Sequence, residues 1–244
     1  MGARSLVNRR WQSVWSQRSD VSLDGDDTLE SLIRADGFNT GFGDVTVDAW
    51  TDFVDRTCAM LGLGTGDSLF EVGCGAGAFL YLPSRRGIEV AGIDYSTSQI
   101  DAAKSAIPSG SFEVRDAGDL DVSPGVDVTI AFSVFQYFSS LDYARQVIDR
   151  MCRKATRAVA LFDLPDVQLA DQALEARQAA AGGADAYAER YAGLDHLSYS
   201  KEWIKAALEE GDLRDVTVEP QTMAGYDNGR FRFNAWGWAS SGDH

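Results

Sequence analysis

Three carboxylates, Glu71, Asp94 and Asp116, each sit at or just past the end of an apolar run, and Glu71 leads into the turn Glu71-Val72-Gly73-Cys74-Gly75-Ala76-Gly77. Glycines at 73, 75 and 77 permit positive φ angles and a close approach of backbone to ligand, which a Cβ would block. Asp94 lies about 20 residues beyond the turn, the offset at which a carboxylate at a strand's carboxyl end accepts hydrogen bonds from ribose hydroxyls. Together these residues suit a ligand that contains a nucleoside. They leave its identity open, because Gly73-x-Gly75-x-x-Ala78 also satisfies the dinucleotide fingerprint, in which alanine can take the third position.

Proton transfer near neutral pH falls most readily to histidine, and the sequence has two, His196 and His244. His196 is the candidate general base, with a histidine satisfied by the backbone as the competing reading. Tyr137 is a candidate for orienting a polar substrate, followed by Gln136, Tyr199, Tyr226 and Asp163, and each of these also suits plain packing or hydrogen bonding. Arg230 and Arg232 either meet an anionic group or alternate as a solvent-facing ladder on the last strand. The three cysteines, Cys58, Cys74 and Cys152, are odd in number and lack metal-like spacing. Cys74 is a small packing residue inside the glycine turn.

Alternating strands and helices must position these groups. Strands are expected at Ser68–Val72, Ile88–Ile93, Ser111–Val114, Val126–Phe132 and Arg157–Phe162, with helices at Ala76–Arg86, Ser96–Ile107 and Leu141–Arg153. Ser96 suits an N-cap, and Pro108 with Gly110 stops that helix. Such alternation predicts a parallel sheet covered on both faces, with ligands bound beyond the carboxyl ends of its strands. Residues 165–191 are alanine-rich and helix-prone, broken at Gly182-Gly183. A helix over Ser200–Glu210, N-capped by Ser200, precedes strands at Leu213–Val218 and Phe231–Trp238. The first 50 residues carry Trp11, Trp15, Phe38, Phe42 and Trp50, which either fold over the ligand as a lid or pack against the core.

Four motifs in register, over roughly residues 45 to 163, make the chain resemble the class I S-adenosylmethionine (SAM)-dependent methyltransferases. Glu71 to Gly77 resembles the first motif and Asp94 in Gly-Ile-Asp-Tyr-Ser the second. Asp116-Ala117 resembles the third, where the family sets an acidic side chain and a backbone amide on adenine. Asp127 to Tyr137 resembles the fourth, which places Phe132 and Ser133 beside the methionine end. The resemblance implies a Rossmann-like α/β fold, a seven-stranded, mostly parallel sheet with helices on both faces, ending in an antiparallel hairpin. It also implies a SAM-binding domain over residues 51–244 behind an N-terminal lid of residues 1–50. A helical cap inserted at about 165–199 would cover the substrate, against which a flexible alanine- and glycine-rich linker is the alternative. The cofactor contacts it implies are Glu71, Gly73, Cys74, Gly75, Gly77, Asp94, Tyr95, Asp116, Ala117, Phe132 and Ser133. Many relatives have a histidine where this chain has Tyr137, so no proton-transfer role carries over to that residue.

Composition sets the bounds. The chain has 244 residues with 45% hydrophobic content, enough for one domain with an elaborated cap. Its formal charge of −15, from 37 acidic against 22 basic residues, opposes binding to DNA, RNA or anionic membranes, whose affinity rests on Lys and Arg contacts to phosphate. No apolar run reaches the roughly 18 residues of a membrane span, and Arg4, Arg9 and Arg10 precede no hydrophobic stretch of a secretory signal. A cytoplasmic monomer or homodimer is expected. The expected activity is transfer of a methyl group from SAM, leaving S-adenosylhomocysteine, to oxygen or nitrogen of a small molecule, a metabolite or natural-product intermediate such as a sugar. Methyl transfer is an in-line displacement that rests on alignment and requires no metal. Two other functions stand beside it. An NAD-dependent oxidoreductase would leave Asp116 without a task and lacks a Tyr-x-x-x-Lys pair, and a non-catalytic SAM-fold binding protein would be expected to carry a ruined turn.

Overall fold

The alternating pattern folds into one seven-stranded sheet, seen in a computed structural model that describes residues 11, 15, 28–39, 43–192, 194 and 196–240. Phe42 and His244 lie outside these residues. The strands are β1 (Ser68–Val72), β2 (Glu89–Asp94), β3 (Ser111–Val114), β4 (Val126–Phe132), β5 (Ala155–Pro165), β6 (Leu213–Pro220) and β7 (Arg232–Ala239). Their order is β3-β2-β1-β4-β5-β7-β6. All neighbours are parallel except β7, which runs antiparallel to both β5 and β6.

Eight α-helices are described: α1 (Thr28–Ala35), α2 (Val47–Met60), α3 (Ala78–Arg85), α4 (Thr97–Ala106), α5 (Leu141–Lys154), α6 (Ala170–Ala180), α7 (Ala184–Tyr191) and α8 (Lys201–Glu210). They cover both faces because side chains on an interior strand alternate between two cores. Val128, Ile130 and Phe132 of β4 join the cluster made with α1 to α4. Ala131 turns to the other cluster, which includes Val147, Ile148 and Met151 of α5 and Ile204 and Leu208 of α8.

Caps set the helix ends. The hydroxyls of Thr46, Ser96, Ser140 and Ser200 each accept a hydrogen bond from the backbone amide three residues on, opening α2, α4, α5 and α8. α3 begins at Ala78, not at Ala76, because Gly77 is its N-cap with φ of 86° and contributes no side chain. After β5 come α6 and α7, joined through Gly182 and Gly183, both at positive φ. Ala173 is the buried residue of α6, so this helix rests lightly on the sheet.

Two expectations need correction. Arg232 is buried, at 6% exposure, and does not belong to a solvent-facing ladder. The reason is what covers its face: α6 folds over the start of β7, where Ala173, Arg177 and Arg232 line one cavity, and Arg232 Nη1 donates to Asp163 O. β5 also runs beyond Phe162 to Pro165, because pairing with β7 resumes at Leu164 and Pro165 after a register shift.

Candidate active site

The carboxyl ends of β1, β2 and β4 converge on one cavity of about 50 Å³, lined by Glu71, Gly73, Cys74, Gly75, Asp94, Tyr95, Phe132, Ser133 and Tyr137, and by Asp36, Phe38 and Trp50 from the N-terminal region. A smaller recess continues from it past Asp94 and Tyr95 to Asp116 and Ala117. Of the eleven expected cofactor contacts together with Tyr137 and His196, eleven of thirteen therefore meet along one edge of the sheet. Gly77 lies behind the cavity as the cap of α3, and His196 lines a different cavity under α6 and α7.

The glycines are required by space as well as by angle. Gly73 has φ of 73°, and a Cβ there would stand 2.5 Å from the Val134 side chain. Gly75 has φ of 51°, and its Cβ would stand 2.2 Å from Asp36 Oδ1. The Asp36 carboxylate accepts from Ala76 N at 2.6 Å and Ala78 N at 3.0 Å. It thereby supplies, from about 40 residues upstream, the anion that α3 lacks at its own N-cap and that a helix N-terminus favours. Asp36 was not foreseen, since nothing local in Ala35-Asp36-Gly37 announces a contact so far along the chain.

Three acids thus crowd this turn. Asp94 Oδ2 accepts from Gly75 N at 3.1 Å and Oδ1 from Ser96 N at 2.8 Å, yet burial pushes its carboxyl up to about 6 against the pull of those amides. Glu71 is 3% exposed and its Oε2 has no hydrogen-bond partner. Burial, and then repulsion from Asp36 and Asp94, raise it well above the usual carboxylate range. No described Lys or Arg pairs with Glu71 or Asp94. Two buried acids without a described cationic partner are complementary to a cationic ligand.

The other groups are held firmly. Asp116 accepts from Gly118 N at 2.9 Å and from the Tyr143 hydroxyl. That tyrosine, two residues inside α5, was also missed. Burial raises the Tyr95 hydroxyl, which donates to Trp11 O at 3.4 Å. Cys74 is buried and its thiol is held well above the ordinary range by burial and the three acids, so it is an inert packing group. Phe132 packs against Phe38 at 5.0 Å and Phe53 at 5.4 Å between ring centroids.

Behind the cavity lies a polar network that the sequence only hinted at. Ser133 Oγ donates to Asp163 Oδ2 at 2.7 Å and the Tyr226 hydroxyl donates to the same atom at 2.9 Å. Arg232 Nη1 donates to Asp163 O at 3.3 Å, and Gln136 Nε2 donates to Ser133 O at 2.7 Å. Ser133 and Asp163 have φ of 54° and 62°, the left-handed region that costs a non-glycine residue energy and is retained where surroundings over-determine it. Ser133 lines the cavity at the end of β4, and Asp163 of β5 holds it from behind.

His196 is enclosed by rings. Its imidazole stacks on Trp11 at 5.0 Å and meets Tyr137 edge-on at 5.6 Å, and its Nε2 is buried without a partner. Burial, and then the positive charges of Arg232 and Arg177, push it down to about 3. It is neutral throughout the physiological range.

Comparison with known proteins agrees with this geometry. Residues 70–160 match the family model described as a methyltransferase domain. No curated protein sequence matches the chain. Among solved structures, magnesium protoporphyrin IX methyltransferase from Synechocystis with bound SAM is 15% identical, with a TM-score of 0.63 and 98% of each chain covered. A SAM-dependent methyltransferase from Clostridium acetobutylicum is 13% identical, with a TM-score of 0.60 over 86% of this chain and 96% of that one. A SAM-bound amino pentose methyltransferase from Micromonospora echinaspora, involved in calicheamicin biosynthesis, is 14% identical, with a TM-score of 0.56 over 79% and 91%. At these identities the likeness is one of fold.

Proposed function

The chain carries a methyltransferase domain on the class I SAM-dependent methyltransferase fold, with SAM as its cofactor, and from that premise we propose that it methylates an oxygen or nitrogen of a small molecule. The observation that carries the reading is the acidic cluster around the glycine turn. SAM brings a sulfonium and an ammonium, cations complementary to Glu71 and Asp94, which pair with no described Lys or Arg. In this assignment Asp94 accepts from the ribose hydroxyls, Asp116 and Ala117 hold the adenine in the recess, and Glu71 with the Gly73 to Gly77 turn holds the methionine end beside Phe132 and Ser133.

SAM supplies an activated methyl group for in-line displacement. This chain's own residues supply alignment and exclusion of water. From the N-terminal region, Trp11, Trp15, Asp36 and Phe38 cover the site. Tyr137 stands at the boundary of the cofactor cavity, where it orients the acceptor. His196, neutral and beside it, accepts a hydrogen bond from the acceptor and orients it, and with its protonation disfavoured it is a weak base for the proton itself. That the described neighbours include methyltransferases of magnesium protoporphyrin IX and of an amino pentose supports a small acceptor. The three cysteines, all buried free thiols, suit a reducing cytoplasm, and no described helix is long and apolar enough to cross a membrane.

Isothermal calorimetry of the full chain against SAM, S-adenosylhomocysteine and NADH tests the reading. Binding of the first two and not the third is expected. Heat from NADH alone would transfer the turn to the dinucleotide class, and a chain that binds SAM yet methylates no hydroxylated or amino acceptor in a broad panel would be a binding protein.

A further inference from the structure

A second cavity, of about 230 Å³, opens between the helical cap and the end of the sheet. It is far larger than the roughly 10–15 Å³ that one water requires. Its lining includes Arg177 from α6, Tyr187 and Tyr191 from α7, His196, Phe231 and Arg232. It shares a wall with the cofactor cavity, because Tyr137 lines the latter while its ring packs against His196, which lines the former.

The charges along this wall are not all committed. Arg232 faces Asp163, with Nε 4.0 Å from Oδ1. Asp166 pairs with Lys201 at 2.8 Å and accepts from Gln168 N at 2.9 Å. Asp171, in the first turn of α6, is exposed at the rim. Arg177 makes no ion pair among the described residues, and its Nε is buried without a hydrogen-bond partner, as is Nε2 of His196. A desolvated guanidinium nitrogen left unpaired is a costly arrangement unless a ligand completes it. The same positive field is felt at His196, whose protonation Arg232 and Arg177 both oppose.

We infer that this cavity is the acceptor pocket and that it takes an oxyanion, a carboxylate or phosphate group borne by the methyl acceptor, with Arg177 as its counter-ion. A guanidinium fork suits either group because both present two oxygens in one plane to paired N–H donors. The tyrosines and Phe231 then cover an apolar or ring portion, and the acceptor's nucleophilic atom lies toward His196 and Tyr137. The word acceptor rests on the SAM-dependent reading above. The anion site itself does not.

The test uses the full chain and small probes: benzoate, phenyl phosphate and, as the neutral control, benzyl alcohol, each titrated by ligand-observed NMR up to about 10 mM, the range expected of fragments this small. Binding of at least one anion but not of the alcohol is expected, weakened at least tenfold in Arg177→Gln and weakened less in Arg177→Lys, which keeps the charge and loses the fork. Preference for benzoate or phenyl phosphate separates a carboxylate from a phosphate acceptor. S-adenosylhomocysteine affinity, measured on the same samples, should be unchanged in both variants, which certifies their folding. Equal anion binding by wild type and Arg177→Gln, or no anion binding by a wild type that binds S-adenosylhomocysteine, would overturn the inference. Loss of S-adenosylhomocysteine binding in the wild type would instead sink the cofactor reading, leaving the anion titration to stand by itself.

Discussion

His196 and Asp94 are pushed in opposite senses by the same cause, burial. For His196 the folded value, about 3, lies below the ordinary histidine value of 6.5, so the unfolded chain takes up the proton first. Its contribution to stability is complete above pH 6.5 and is lost as pH falls toward 3. At pH 5 the loss from this residue is about 2 kcal/mol, at 1.36 kcal/mol per unit. Asp94 and Glu71, raised in the folded chain, work the other way, so the histidine's part is read as a difference. The stability gap between wild type and His196→Gln, from urea titrations, should narrow by about 2 kcal/mol between pH 7 and pH 5. Asp94 makes a second prediction. Its carboxylate must be charged to accept from ribose hydroxyls, and it takes a proton near pH 6. The Kd for S-adenosylhomocysteine should therefore rise about tenfold from pH 7 to pH 5, and Asp94→Asn, weaker at both, should flatten that dependence in calorimetry.

The elements divide into those whose cause is local and those whose cause is distant. Ser68–Val72 and Val126–Phe132 were readable to the residue because each is a short, mostly apolar run rich in β-formers and bounded by turn residues. Ser96, Ser140 and Ser200 announce their helices by their own side chains. The start of α3 was misplaced by two residues because a glycine cap carries no such mark. The anion that serves it, Asp36, sits at the end of α1 and is visible only once the two helices are side by side. Arg232 failed for the same reason: alternation gives a face, and which face is solvent depends on α6 folding back over the start of β7. Replacing Asp36 by alanine removes both carboxylate bonds to the α3 amides and should cost about 1–2 kcal/mol in a urea titration without ligand. Part of that cost is offset by relief of repulsion on Glu71.

At the scale of the whole molecule, the sheet sets two cavities on either side of one aromatic wall, Tyr137 with Trp11 and His196. The motifs made the cofactor side legible from sequence, because its contacts sit at strand ends in fixed order. The cap side was not, because Arg177 and Tyr187 acquire meaning only when α6 and α7 fold back over Phe231 and Arg232. The N-terminal region belongs to the same body: Leu32, Ile33 and Trp50 are at 0% exposure and Phe38 at 6%, each worth about 1.5–3 kcal/mol of apolar burial. Deleting residues 1–50 should therefore abolish S-adenosylhomocysteine binding and leave a poorly soluble product, checked by calorimetry and by light scattering.

The grip of Asp36 on the turn has a practical corollary for anyone dissecting this chain. A fragment trimmed to the matched stretch, residues 70–160, would keep every glycine and lose the anchor that steadies them. Its silence toward SAM would then be a matter of missing scaffolding, with no bearing on which ligand the intact protein prefers.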